Sequence, residues 1–235
     1  MKEREIEELF AQASKDAPAV SPALLERIAS SIKPSLHPVR PLPAVWLLTS
    51  GLIAMAIAVA LAGAARAGFF GIERLSVFGI LLIFPTLAVF LWAAATELSA
   101  SMIPGSRRRV HPAVLMAVSC LALMSVFAVV FRDYETTHFV SAGVTCLVAG
   151  LAHAIPVALL SWLLLRRAFA VNPVNAGAIA GTLAGLAGVT MLELHCPNFQ
   201  VLHILVWHSA VIPVSTATGA LLAWALQLRT GFRVH

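Results

Sequence analysis

The sixteen residues from Glu193 to His208, ELHCPNFQVLHILVWH, hold a carboxylate, one thiol (Cys196) and three imidazoles (His195, His203 and His208). Thiolate and imidazole together are ordinary ligands for zinc or copper, and two thiols that meet in an oxidising compartment form a disulfide. The spacing Cys–x6–His–x4–His fits no standard zinc module. On a regular helix His203 and His208 stand about 140° apart, so they share a face only loosely. A plainer reading makes these groups the polar edge of a membrane helix beside Trp207. The choice depends on the elements that carry them and on where the other thiols, Cys120 and Cys146, fall.

Hydrophobic residues make up 60% of the 235-residue chain and charged ones only 11%. A soluble globule cannot hide that much apolar surface, whereas a bilayer needs no polar coat. The formal charge of +5 by itself suits nucleic acid, but the arginines sit in short clusters at the ends of apolar runs, as orientation in a membrane requires. The fold class expected is all-α: a polytopic membrane protein with short amphipathic helices ahead of the first span.

Four segments follow from the pattern. Residues 1–33 read as a helical partner-binding prefix, with helices over 5–14 and 22–33. Ile6, Leu9 and Phe10 line one face of the first; Leu24, Leu25, Ile28 and Ile32 line one side of the second, with Ser21 and Pro22 as its start and Pro34 as its stop. Such short helices are marginal alone, so their apolar faces call for a partner. Residues 34–43, within KPSLHPVRPLP, form a stiff proline-rich linker. Residues 44–228 carry six apolar runs, at 44–65, 75–96, 113–131, 142–165, 175–194 and 203–226, each near the ~20 residues of a spanning helix. Residues 229–235 are a tail.

Arg40, Arg107 to Arg109, Arg166, Arg167, Arg229 and Arg233 fall on one side of this layout. The positive-inside rule then puts both termini in the cytoplasm. Cys146 and Cys196 share the outer face, and Cys120 lies mid-span as packing. Gly177, Gly181 and Gly185 recur every four residues along the fifth run, a bare ridge that lets a neighbouring helix, the fourth or sixth, approach closely. Motifs for phosphate binding, zinc peptidase or serine hydrolase chemistry are absent from the sequence, and no activity as an enzyme is expected.

The polar prefix, the six runs, Cys146 opening the fourth, ALLSWLLLRR, LHCP at 194–197 and Trp207 together resemble the NrsF-like membrane proteins, most closely from Gly143 onward. Those proteins are negative regulators of extracytoplasmic-function sigma factors in bacteria. The resemblance implies a multi-pass inner-membrane anti-sigma factor whose prefix holds the sigma factor, with Cys146 and Cys196 as the sensing pair. His203 and His208 depart from that pattern and leave metal, through Cys196, His195, His203 and His208, as an input beside thiol oxidation. A membrane redox or metal enzyme built on the same cluster, or a small transporter, is the alternative.

Overall fold

The computed structural model describes residues 21–32, 43–103, 109–166 and 172–230, with Glu7, Ser106 and Ala168 individually. The first expected prefix helix, with Ile6, Leu9 and Phe10, lies outside the described residues. So does nearly all of the proline-rich linker. The second prefix helix is α1 (Pro22–Ile32). The Ser21 hydroxyl accepts the N–H of Leu24 at 3.2 Å, satisfying one of the donors that every helix start leaves open. Leu24, Leu25 and Ile28 are all exposed; the side chain of Ile32 lies outside the described set.

Residues from 42 onward form a separate compact unit. It contains α2 (Val45–Ala67), the short α3 (Phe70–Arg74), α4 (Val77–Ser101), α5 (Pro112–Val130), α6 (Phe139–Leu165), α7 (Pro173–His195), α8 (Val201–His203), a π-helical turn (Ile204–His208) and α9 (Ser209–Thr230). Six stretches, with α8 through Gln227 counted as one, are long and apolar enough to cross a membrane. The chain is therefore an all-helical multi-pass membrane protein, as its composition demands. Local chemistry sets the helix starts: Ser76 caps α4 through Gly79 N–H at 3.1 Å, and Asn172 caps α7 through Asn175 N–H at 3.0 Å, followed by Pro173.

One helix differs from the rest. Of the most apolar stretch of α7, 89% is buried, against 22 to 28% for the other spans. Every residue from Ala176 to Leu194 is buried, and α7 packs against each of the other five spans. A helix enclosed on all sides must be thin, which is why this segment is built of Gly, Ala and Thr. Side chains at Gly177 and Gly181 would strike the backbone carbonyls of Gly219 and Ser215 on α9, and one at Gly185 would come within 2.8 Å of Ile212 Cα. Gly188 faces the backbone of Gly150 on α6. The Thr182 and Thr216 hydroxyls meet at 2.9 Å across the α7–α9 contact. The other spans turn residues such as Leu81, Leu121, Val148 and Leu221 outward, where lipid replaces protein.

Candidate functional site: a buried cysteine–histidine cluster

The end of the unit that carries the site is assembled from three connections. His195 Nδ1 lies 3.0 Å from the Gly68 carbonyl, and Gly68 has the positive φ of 103° that only glycine adopts freely. Val201 N–H donates to Asp133 O at 2.7 Å, and Gln200 Nε2 donates to Thr137 Oγ1 at 2.7 Å. The rings of Phe131 and Phe199 meet at a tilt, 5.3 Å between centroids. These contacts pin the 196–200 connection between α7 and α8 against the 68–71 and 131–138 connections.

Inside that frame the two cysteines expected to pair come together. Cys146 Sγ, two turns into α6, lies 3.5 Å from Cys196 Sγ, the residue that closes α7. Cys196 Sγ lies in turn 3.8 Å from His203 Nε2. One ligand atom from each of Cys146, Cys196, His203 and His208 lies within 4.8 Å of every other. Cys196, His203 and His208 are buried and Cys146 is half-buried. The neighbouring Cys146 sulfur, together with burial, holds the Cys196 thiol above its usual pKa.

One of the expected ligands sits elsewhere. His195, expected among the metal ligands, turns away from the cluster to Gly68 and to the ring of Phe70, 6.0 Å from its own. Cys120 packs on α9, with its sulfur 3.9 Å from the Ser209 carbonyl. That carbonyl is free to receive it because Pro213, four residues on, has no N–H. His153 also lies outside the cluster, its Nδ1 2.8 Å from Ala149 O and its ring against Gly63 on α2.

Helical geometry predicts that His203 and His208 share a face only loosely, yet their rings lie 5.4 Å apart. The π turn is the reason. Ser209 N–H donates to Ile204 O, five residues back instead of four, so a spacing of five becomes close to one full turn. The wide turn sits just ahead of the stretch that Pro213 loosens. The x4 spacing followed by a proline was the one visible signal for it.

A carboxylate completes the group. Glu193, on the last turn of α7, accepts from His208 Nδ1 at 2.6 Å, with both side chains almost wholly buried. The opposite ring atom, His208 Nε2, is buried with no hydrogen-bond partner, and so is His203 Nδ1. Buried polar atoms are rarely left unsatisfied. A second buried carboxylate, Glu97 near the other end of α4, accepts the Arg109 backbone N–H at 3.3 Å; no motif in the sequence marks it.

The cluster has two chemistries open to it. The sulfurs are near enough to join after a small approach, since bonded sulfurs stand about 2.05 Å apart. The four ligand atoms also suit a closed tetrahedral site for a thiophilic metal, in which neighbouring donors are held a few ångströms apart around bonds of about 2.0–2.3 Å.

No curated protein and no solved structure matches the chain. A family model does, that of NrsF, negative regulator of sigma F, over residues 29–228. The match takes in the last residues of α1, every span and the whole of the cluster, so the chain belongs to the NrsF family of negative regulators of sigma F.

Proposed function

We propose that the protein is a membrane-anchored anti-sigma factor and not an enzyme. Its N-terminal helices sequester an extracytoplasmic-function sigma factor at the cytoplasmic face of a bacterial inner membrane. A thiol-oxidising or metal signal at Cys146, Cys196, His203 and His208 releases it. The observation that carries this reading is the exposed row Leu24, Leu25 and Ile28 on α1, in a family defined by negative regulation of a sigma factor. Eleven residues make a helix too short to persist alone. An amphipathic helix of that kind gains its stability by laying the apolar row into a partner's groove.

The arginine distribution supports cytoplasmic termini. Arg109 and Arg166 flank the ends of spans away from the cluster. With that orientation the cluster faces the periplasm, where disulfides persist and where metals arrive first.

Purification of the full-length protein in detergent should bring down a sigma factor. Leu25→Glu places a charge in the middle of the docking row and should abolish the co-purification while leaving membrane insertion intact. Recovery of the sigma factor with the Leu25→Glu protein at wild-type yield would refute this mode of holding.

A further inference from the structure

The geometry points to a four-coordinate site for one thiophilic metal ion of the zinc class, made by Cys146, Cys196, His203 and His208, with Glu193 as the residue that positions it. This deepens the reading of the cluster as the input site and rests on it only for the consequence of binding, not for binding itself.

Three observations converge. The first is the donor set: two sulfurs and two imidazoles, one atom from each within 4.8 Å of all the others, the composition of a closed structural zinc site. The second is the orphaned ring atom. His208 is 1% exposed, its Nδ1 is taken by Glu193, and its Nε2 has no protein partner. The third is the carboxylate. Metal-bound histidines commonly donate their other N–H to a carboxylate, which fixes the tautomer and makes the ligating nitrogen more basic. Glu193 stands in that relation to His208, at 2.6 Å. It leaves the lone pair of Nε2 as the only free end of a buried ring.

The connection from α7 to the π turn supplies all but one of these groups. Glu193 and Cys196 stand at one end of it, His203 and His208 at the other, and Cys146 alone comes from α6. A bound ion would therefore tie α6, the end of α7 and the start of the sixth span to one another. In the binding step each thiol gives up its proton to solvent as its sulfur bonds to the ion. Both imidazoles bind through lone pairs, and the Nδ1–H of His208 stays on Glu193. A divalent ion with two thiolates and two neutral imidazoles is a neutral set, and the one remaining negative charge, on Glu193, is met by the His208 N–H.

The measurement is metal binding by purified full-length protein in detergent, under reducing conditions, without any sigma factor. Titration with Zn2+ should give one equivalent, and Co2+ should give the ligand-field bands of a tetrahedral ion with a thiolate charge-transfer band. Cys196→Ser should abolish both. Glu193→Leu should weaken Zn2+ binding about ten- to a hundredfold and shift the Co2+ bands. Glu193→Gln, which keeps an acceptor for Nδ1–H, should lose less. Thermal unfolding of the metal-free proteins checks that each variant is folded. Wild-type affinity in folded Glu193→Leu would overturn the positioning role. A wild-type protein that takes up no Zn2+ or Co2+ yet readily joins Cys146 to Cys196 would overturn the metal site and leave a bare thiol pair. Neither result bears on sigma-factor binding, which the co-purification with the Leu25→Glu variant tests separately.

Discussion

Cys146 and Cys196 have two mutually exclusive fates, because a sulfur that ligates a metal cannot at the same time be half of a disulfide. The 3.5 Å between them serves either outcome. With a thiol oxidant such as diamide, the two thiols should lose two protons and two electrons and join, removing two alkylatable sites while Cys120 remains reactive after denaturation. Peptide mass mapping reads this directly. Prior loading with Zn2+ should slow the joining, and Glu193→Leu should lessen that protection, since the ion is then held less tightly. His195 belongs to a different task. Its bond to Gly68 braces the connection between α2 and α3, so His195→Ala should leave metal stoichiometry unchanged and lower thermal stability by about 1 kcal/mol, the usual worth of one hydrogen bond.

At the level of elements, α7 is the axle on which the other spans are mounted. Its glycines face backbone, not flexible side chains: Gly181 meets the Ser215 carbonyl and Gly177 that of Gly219. A backbone neighbour cannot step aside without moving its helix. Gly181→Leu should therefore cost at least the ~1–3 kcal/mol of an overpacked core, seen as a lower unfolding temperature in detergent. Gly51→Ala is the control, since nothing lies within 4 Å of the added carbon, and it should leave the unfolding temperature unchanged or slightly higher, Ala being the better helix former. The π turn is the other decisive element. Deleting Leu205 would remove the residue that the wide turn absorbs, leaving the histidines four apart on one face of a regular helix and the rest of the sixth span in register with α7. Retained Co2+ charge-transfer intensity and intact α7–α9 packing are the expected result. α1 depends on its cap: Ser21→Ala should remove about 1 kcal/mol of helix stability and weaken sigma-factor retention without touching the spans.

For the whole molecule, the proposed switch requires that a signal at the cluster alter holding by the prefix. To turn a 99:1 equilibrium into 1:99 takes about 5.5 kcal/mol of differential stabilisation. One metal site or one disulfide supplies a good part of that. A protein lacking residues 1–40 should insert normally, bind Zn2+ like the full chain and leave the sigma factor free, so a reporter of its promoter should be constitutively on. Reporter fusions after residue 134 should be active only as periplasmic enzymes, and those after residue 106 only as cytoplasmic ones. The opposite pattern would invert the membrane orientation and put the cluster on the wrong side to sense the periplasm.

The sequence by itself determined the class of molecule and the position of every span, because apolar runs near twenty residues leave a backbone no other way to satisfy its polar groups in lipid. It also marked Cys146 and Cys196 as candidates for one face, since alternating spans fix which helix ends are neighbours. Leu24, Leu25 and Ile28 were legible as one helical face for the same kind of reason: periodicity is local. What only the tertiary structure decided were the facts that depend on a side chain's direction. His195, next to Cys196 in the chain, points out to Gly68, while Cys146, fifty residues away, points in. The π turn brings His203 and His208 together against the regular helical period. The approach of the α7 end to the sixth span puts Glu193 on His208 across fifteen residues. Sequence spacing cannot carry such information, because a single extra residue in a turn rotates everything beyond it.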